Sequence, residues 1–307
     1  MLSITMSVFR HWLTMVVLSI SGGIIFFLPF LQEVYYKPLA QALSLNNTEV
    51  GSLMSVFGMT SLISYFPGGW LADRVSPRKL ISFSLLLTGI TGLYFSTFPA
   101  YGVSLALHAF WGVSISFLFW GAMIRMTRNW APAEEQGRAF GILETGRGLG
   151  EVLSSAAILS VFVALGSGDY ALSMVIVLFA GLILLLGLIA WFTLEDSINE
   201  ENSSAAGQKV GLEEIISALK MPVVWLIATV ILTGYCAYWG TFRFTSYATD
   251  IFMMSVAIAA SISVGKMWLK PLAAFIAGFI ADRFGIARTV ASLFVVLVVS
   301  FCFFAVM

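Results

Sequence analysis

Gly69-Trp-Leu-Ala-Asp73-Arg74 recurs, with conservative changes, as Gly278-Phe-Ile-Ala-Asp282-Arg283. The two Asp residues are 209 positions apart, and each copy ends a long apolar run. The same offset carries the start of the first apolar run, near residue 12, to the neighbourhood of Pro222, where another run begins. Two independent markers therefore indicate one period, in which a unit of six apolar runs and a linker is repeated in parallel.

The composition excludes a soluble protein. Of the 307 residues, 59% are hydrophobic and 10% are charged, against about 25% charged in an average soluble domain. The mean hydropathy of +0.95 excludes a soluble enzyme and a disordered chain. The 16 Lys and Arg residues equal the 16 Asp and Glu residues, so no basic excess suggests a nucleic-acid partner. Two Cys and two His, all far apart, predict neither a disulfide framework nor a metal site, and we expect no cofactor.

The apolar runs predict an all-α polytopic membrane protein. A bilayer core of about 30 Å needs about 20 apolar residues per helix. The sequence predicts nine spans, at residues 12–32, 49–68, 79–98, 101–126, 138–165, 170–193, 222–248, 253–280 and 288–307. With the N-terminus inside, eleven of the 16 cations are cytoplasmic and only Lys37 is outside. We therefore expect a multi-pass protein of the cell inner (plasma) membrane with a cytoplasmic N-terminus.

One long polar stretch, from Glu195 to Lys220, divides the spans into two groups. We interpret residues 195–221 as a cytoplasmic linker between an N-terminal six-helix bundle, residues 1–194, and a C-terminal bundle, residues 222–307. The end of the linker, Leu212–Leu219, is a candidate surface helix. A simple long loop is the alternative, and the internal repeat favours the linker.

The repeated motif is predicted to form a tight turn at the inner ends of the second and eighth spans. Gly69 and Gly278 would allow close approach of helices, and Asp73 and Asp282 would cap or pair at helix ends. The Arg that follows each Asp would anchor at the cytoplasmic face. A generic charged turn is the alternative, which two copies at the repeat offset make less plausible. A network of this kind could hold one conformation closed.

The segment Gly69-Trp-Leu-Ala-Asp73-Arg74-Val-Ser-Pro-Arg78-Lys79 resembles the loop 2–3 signature of the major facilitator superfamily. The stretch Gly278–Arg288 is similar to the weaker signature between helices 8 and 9, and Trp130-Ala-Pro-Ala-Glu134-Glu135-Gln-Gly-Arg138 resembles loop 4–5. The resemblance implies a transporter rather than an enzyme, with alternating access by rocking of two six-helix halves. We assign the gating network to Gly69, Asp73, Arg74, Arg78, Arg125, Gly278, Asp282 and Arg283.

The resemblance also implies twelve helices, whereas the sequence ends after the ninth predicted span. We therefore expect a major-facilitator fold with a complete six-helix N-terminal bundle and an incomplete C-terminal bundle of about three helices.

Charged residues within the spans are candidates for function, because each costs at least about 2.5–3.5 kcal/mol at membrane depth. Glu144, Arg147 and Glu151 fall at i, i+3 and i+7 and therefore share one helix face. Arg147 is spaced to pair with either acid. Three glycines within residues 146–150 would allow a helix or a ligand to approach closely. The cluster is either an internal ion-pair cluster that satisfies itself or a cavity lining that binds substrate or relays a proton.

The seventh span carries Arg243 one helical turn from Trp239 and two turns from Tyr235. On a continuous helix these residues share one aromatic and polar face, which suits a cavity. We therefore assign Arg243, Trp239 and Tyr235 to a substrate site.

Lys266 and Lys270 lie at i and i+4 in the eighth span, directly before Pro271. Like charges repel at this spacing, and few acids lie nearby in sequence to offset them. Asp250 is the candidate partner of one lysine. Three explanations stay open: an anionic ligand, acids on helices beyond the ninth span, or snorkelling of the lysines to the interface. We prefer the anionic ligand.

A closer resemblance, to the organic-phosphate and organic-anion exchangers of the superfamily, is carried by Pro77, Arg147 and Lys266. Pro77 stands where many members have Gly. The branch also has a polar residue in a Gly-rich fifth helix and a charged residue shortly before a Pro in the eighth. Residues 12–32 contain no Lys or Arg, unlike the first helix of that branch, and its helix-7 Arg would fall nearer Tyr238. A carboxylate or sulfonate therefore stays open beside a phosphate ester.

The sequence thus predicts a monomeric secondary active transporter of a small organic anion, with rocker-switch alternating access. Arg147, Arg243, Lys266 and Lys270 would bind the substrate charge, and Glu144 and Glu151 would be counter-charges or a proton site. One alternative is a proton-coupled carrier of a neutral solute or drug. Another is an inactive, truncated or sensor-like membrane protein. The substrate, the coupling ion and the direction of transport are not predicted.

Overall fold

A computed structural model describes residues 2–132, 135–195, 217 and 219–306, with all side chains except those of residues 2–8, 241, 274, 275, 277–279, 281–283, 286 and 304–306. Every regular element within these ranges is a helix, which confirms the prediction of an all-α protein. The helices are α1 (Leu2–Ile24), α2 (Gln32–Ala42), α3 (Asn47–Ala72), α4 (Pro77–Phe95), α5 (Tyr101–Val113), α6 (Gly121–Trp130), α7 (Gln136–Ala164), α8 (Asp169–Thr193), α9 (Pro222–Gly240), α10 (Phe244–Asp250), α11 (Val256–Met267), α12 (Leu269–Phe284) and α13 (Ile286–Val306).

Helices overlap all nine predicted spans. Six of the described helical stretches are long and apolar enough to cross a membrane, namely Asn47–Ala72, Tyr101–Trp130, Gln136–Ala164, Asp169–Thr193, Pro222–Asp250 and Val256–Ala273. On α3, Met59, Leu62 and Phe66 are 65–76% exposed, as expected of side chains that face lipid rather than water. The chain is therefore a multi-pass membrane protein.

The chain forms two compact units, and the first contains residues Met1–Asp196 and Thr245–Gly278. Its most extensive packing joins α4 to α8, α1 to α7 and α3 to α5, and α11 packs against α2 and α7. Large side chains such as Trp111, Phe119 and Phe179 are fully buried in this unit. The division into residues 1–194, 195–221 and 222–307 stays a prediction, and most of the linker, with its candidate surface helix, lies outside the described residues.

The second unit contains residues Ser197–Phe244 and Phe279–Met307. Its two long helices are α9 and α13. A Cβ placed on Gly234 of α9 would lie 3.7 Å from the ring of Phe294 on α13, which is an ordinary van der Waals contact.

Helix boundaries follow local capping chemistry. The Asn46 side chain accepts a hydrogen bond from the Glu49 amide, and the Glu49 carboxylate accepts one from the Asn46 amide, each at 2.9 Å. This capping box satisfies two amides that the first turn of α3 cannot bond. The next helix, α4, begins with Ser76 as its N-cap and Pro77 in its first turn, where the missing amide of proline has no consequence.

The prediction that residues 12–32 form one continuous helix is wrong. Helix α1 ends at Ile24, and α2 begins only at Gln32. Pro29 lies between them and has no amide to bond to the carbonyl of Ile25. The connecting residues use tighter turns, such as the bond from the Phe27 amide to the Ile24 carbonyl at 2.9 Å.

Residues 253–280 are divided in a similar way. Helix α11 ends at Met267, and the Trp268 amide bonds to the Gly265 carbonyl at 3.2 Å. Pro271 cannot donate to Met267, and its ring would clash with that carbonyl. The span predicted at residues 253–280 therefore contains parts of two helices, α11 and α12.

Glycines bring α1 and α7 into close contact. A Cβ on Gly23 would lie 2.3 Å from the carbonyl oxygen of Arg147, and a Cβ on Gly146 would lie 2.6 Å from the Ser19 Cβ. Such distances are shorter than van der Waals contact, so neither position tolerates a side chain without movement of the neighbouring helix. The prediction that glycines near Arg147 allow close approach of a helix is confirmed.

The segment between α5 and α6, Ser114–Trp120, is a π-helix. The Ser84 hydroxyl of α4 donates to the Ser114 carbonyl at 2.8 Å, which compensates for the irregular bonding of the widened turn. A Cβ on Gly68 would lie 2.7 Å from the Ser116 carbonyl oxygen, so α3 packs tightly against this segment. Trp120 is the last residue of the π-helix.

We predict that Gly23→Ala lowers the free energy of unfolding by about 2 kcal/mol, because the new methyl group would overlap the backbone of α7. Thermal unfolding of the purified protein measures this effect. Gly58→Ala is the matched control, because a Cβ there has nothing within 4 Å. A destabilisation at Gly58 equal to that at Gly23 would contradict the proposed helix contact.

Candidate functional site

Arg147 lies at the centre of the crossing between α1 and α7. Its Nε donates to the Gly22 carbonyl at 3.2 Å, and its Nη1 lies 2.5 Å from Glu144 Oε1. The guanidinium carbon lies 5.0 Å from the centroid of the Trp120 ring, in cation–π geometry. The Arg147 side chain is 14% exposed. The predicted pair with Glu144 is therefore present, and three different groups fix the orientation of the guanidinium.

Lys266 and Lys270 each form an ion pair with an acid on a helix that is distant in sequence. Lys266 Nζ lies 3.0 Å from Glu33 Oε1, and Lys270 Nζ lies 3.0 Å from Glu151 Oε2. A Cβ on Gly148 of α7 would lie 3.4 Å from Pro271, so α12 lies directly against α7 beside the second pair.

Acids that are distant in sequence offset the two lysines, whereas the sequence analysis proposed only Asp250 among the nearby residues. The partners come from α2 and α7, which are more than 100 residues away in sequence. Asp250, the candidate partner from the sequence, instead forms an ion pair with Lys37. The physical reason is that partners in a membrane bundle are set by helix packing rather than by sequence spacing.

Glu33 is the member of these ion pairs that the sequence analysis did not identify. Its side chain is 5% exposed, and its backbone carbonyl accepts a hydrogen bond from Thr245 Oγ1 at 2.5 Å. Thr245 Oγ1 also lies 2.7 Å from Ser263 Oγ. Glu33 therefore connects α2 with both α10 and α11. The sequence signal that could have identified Glu33 is an acid that closely follows Pro29 and three aromatic residues.

A small cavity, with room for about one water molecule, lies beside the two lysine pairs. Its side chains are mostly apolar, and both carboxylates of the lysine pairs line it. The cavity is lined by Phe26, Phe27, Phe30, Met267, Glu33 and Glu151, together with Gly23. Five predicted site residues, Glu144, Arg147, Glu151, Lys266 and Lys270, thus belong to one region of the first unit.

This region is electrically balanced. Arg147, Lys266 and Lys270 supply three positive charges, and three carboxylates face them. Lys266–Glu33 is the most buried of these three pairs, with side chains 24% and 5% exposed, and removing one member of a buried ion pair typically costs about 3–5 kcal/mol, because the other charge stays desolvated. The arrangement can therefore exchange one negative partner for another, but it strongly disfavours the loss of a partner without replacement.

Arg243, Trp239 and Tyr235 lie in the second unit. The prediction that they share a continuous helix is wrong, because α9 ends at Gly240 and Thr241–Arg243 form a 3₁₀ turn. The tighter turn changes the angular position of Arg243 relative to Trp239. The Trp239 ring stacks on Phe242 at 5.0 Å. A role for these three residues in substrate binding stays a prediction.

The first copy of the repeated motif forms the turn between α3 and α4. Asp73 caps the end of α3, Arg74 Nη1 donates to the Trp70 carbonyl at 3.1 Å, and the Arg74 guanidinium lies over the Trp70 ring. Arg125 of α6 donates to the Ala72 carbonyl, which is a favourable position for a cation because the C-terminal end of a helix carries partial negative charge.

One detail of the motif differs from expectation. A Cβ on Gly69 would have nothing within 4 Å, so the close helix contact lies one residue earlier, at Gly68. Arg78, which the sequence assigns to gating, lies over the ring of Trp191 at 5.4 Å. In the second copy, Gly278, Asp282 and Arg283 lie in α12, but their side chains are outside the described residues. The gating role of all these residues stays a prediction.

Relatives from bacteria support the resemblance inferred from the motif. The chain is 30% identical over 258 residues to the inner membrane protein YqcE of Escherichia coli (strain K12), covering 83% of this chain and 61% of YqcE. It is 29% identical over 280 residues to the inner membrane protein YihN of the same organism, covering 89% and 66%. The chain therefore spans less than two thirds of the length of these relatives.

A more distant relative and a solved structure agree with this assignment. A probable hexose phosphate transport protein of Chlamydia trachomatis is 26% identical, over 47% of this chain and 32% of its own length. The crystal structure of a bacterial homologue of the human lysosomal transporter Spinster superposes with a TM-score of 0.69 at 16% identity, covering 90% of this chain and 63% of that chain. This likeness confirms the predicted major-facilitator fold.

The family model described as Major Facilitator Superfamily matches residues 11–307, nearly the whole chain. The resemblance drawn from the repeated motif is thereby confirmed, as is the expectation of a transporter family rather than an enzyme family. The chain belongs to the Major Facilitator Superfamily.

Proposed function

We propose that the chain belongs to a secondary transporter that moves a small organic anion by alternating access. The observation that carries the proposal is the convergence of Arg147, Lys266 and Lys270 on one region of the first unit, next to a cavity. The resemblance to a probable hexose phosphate transport protein supports an anionic substrate. The names of the Escherichia coli relatives support an inner-membrane location, and the distribution of Lys and Arg supports a cytoplasmic N-terminus.

The ion pairs suggest how an anion would bind. In the absence of substrate, Glu33 and Glu151 neutralise the two lysines, so no cation has to be buried alone. A substrate anion would replace one or both carboxylates at the lysine ammonium groups. Since α2 and α7 supply the acids and α11 and α12 supply the lysines, the exchange would weaken the attachment of these helices to each other. Substrate binding would thereby be coupled to a change of conformation.

In the proposed transport cycle, the first copy of the repeated motif would act as a gate at the cytoplasmic face. Arg125 donates to the last carbonyl of α3, and Asp73 and Arg74 follow directly. A contact between α6 and the end of α3 can be broken and remade as helices move. We assign this contact to the gate on the cytoplasmic side.

Arg147→Gln is expected to reduce uptake at least about 100-fold, because the substrate would lose a charge-assisted partner inside the membrane. The measurement is uptake by proteoliposomes of labelled phosphate, glucose 6-phosphate, acetate and benzoate. Arg10→Gln is the control, because Arg10 forms an exposed pair with Glu195, with both side chains at least 60% exposed, and such pairs contribute little.

Two results would contradict this proposal. Unchanged uptake by the Arg147→Gln variant would remove Arg147 from the site. Failure of the unmodified protein to bind or move any small anion would remove the anion-carrier function itself.

A second candidate function is a proton-coupled carrier of a neutral solute, favoured by the buried position of Glu33 and by the pair between Glu151 and Lys270. Glu151→Gln distinguishes the two. For an anion carrier, we expect binding of the transported anion to become about tenfold tighter, because a competing negative charge is removed. For a proton-coupled carrier, the same variant would keep counterflow and lose uphill accumulation.

A further inference from the structure

The cavity beside the ion pairs is bordered by a line of aromatic rings that leads to Arg147. Phe26 and Phe30 lie one helical turn apart, with ring centroids 5.8 Å apart. The Phe26 ring lies 6.0 Å from Trp120 in an edge-to-face arrangement, and the Arg147 guanidinium lies 5.0 Å from the Trp120 ring centroid. Phe26, Phe30 and Trp120 are half-buried, so part of each side chain remains accessible to a ligand.

The polar groups around the cavity are few and charged. Among the described residues that line it, the polar side chains are the carboxylates of Glu33 and Glu151, and the others are three Phe, one Met and one Gly. Neutral hydroxyl and amide groups, which would satisfy a polyhydroxylated substrate, are missing from this described lining. A sugar would therefore bury hydroxyl groups with few partners, which is unfavourable.

The charges of the region favour a substrate with a single negative charge. Three cations face three carboxylates, so the region is neutral before a substrate enters. A carboxylate or sulfonate would bring one negative charge, whereas a phosphate ester carries about 1.5–2 at pH 7. After it replaced one carboxylate, its second charge would require displacement of another, because the three described ion pairs supply no further cation.

The guanidinium has one nitrogen available for such a group. Nε of Arg147 donates to Gly22 and Nη1 contacts Glu144. Among the described residues, none accepts a hydrogen bond from Nη2. A planar acid group at Nη2 would lie beside the Trp120 ring, and a flat apolar body attached to it could pack against Phe26 and Phe30.

We infer that the substrate is a monoanion with a flat apolar body, an aryl carboxylate or aryl sulfonate, rather than a sugar phosphate. The line of aromatic rings, Phe26, Phe30 and Trp120, would bind the flat apolar body of the substrate. Arg147 and the two lysines would bind its acid group. This inference rests on the proposed function and specifies the substrate class of the same site.

The test is isothermal titration of the purified protein with benzoate, acetate and glucose 6-phosphate. Benzoate is expected to bind at least about tenfold more tightly than either of the other anions, because acetate lacks the ring and glucose 6-phosphate lacks an apolar body. If glucose 6-phosphate binds more tightly than benzoate, the inference is wrong and the organic-anion function stands. If none of the three anions binds, the proposed function fails together with the inference.

Trp120→Leu tests the aromatic line itself. It is expected to weaken benzoate binding about tenfold and to leave acetate binding within about twofold, because only benzoate uses the ring. Trp120→Phe keeps a flat face and is expected to keep most of the preference for benzoate, which guards against a general folding defect. Phe192→Leu, at a side chain that is 82% exposed on α8, is the control. Equal weakening of benzoate and acetate by Trp120→Leu would overturn the inference.

Discussion

The structure depends on one electrostatic constraint: a charge inside a membrane bundle needs a partner of opposite sign. Arg147, Lys266 and Lys270 each have a carboxylate within 3.0 Å. Because an isolated charge at that depth is unfavourable by several kcal/mol, the two lysine pairs favour contact of α11 with α2 and of α12 with α7. The same constraint makes the region responsive to ligands, since an anion is the natural replacement for a carboxylate beside a cation.

Small residues and prolines put the charged groups where they meet. Gly22 and Gly23 let α1 approach the backbone of α7 at Arg147. Pro29 lies between α1 and α2 and places Glu33 in the first turn of α2. Pro271 follows Lys270 in the first turn of α12, and the break between α11 and α12 lies at Trp268. Breaks of this kind are tolerated within a membrane because neighbouring helices and hydroxyl groups satisfy the backbone. The bond from Thr245 to the Glu33 carbonyl is one example.

Much of the fold was predictable from the sequence, because the doubled motif and the apolar runs are local signals. The cluster on α7 was predictable for the same reason: i, i+3 spacing alone places Arg147 beside Glu144. The partners of Lys266 and Lys270 were not predictable, because they depend on how distant helices pack. The position of Arg243 relative to Trp239 was not predictable, because a change from α-helix to 3₁₀ turn alters the helical register, and the single Gly240 before the turn is a weak sequence signal.

The central claim is that a carboxylate and the substrate anion compete for the same lysine. The most direct measurement is a double-mutant cycle for anion affinity with Glu33→Gln and Lys266→Gln, followed by titration with the tightest-binding of phosphate, glucose 6-phosphate, acetate and benzoate. The account predicts that Glu33→Gln tightens binding about tenfold when Lys266 is present and has little effect when Lys266 is replaced. Equal tightening by Glu33→Gln in both backgrounds would contradict it.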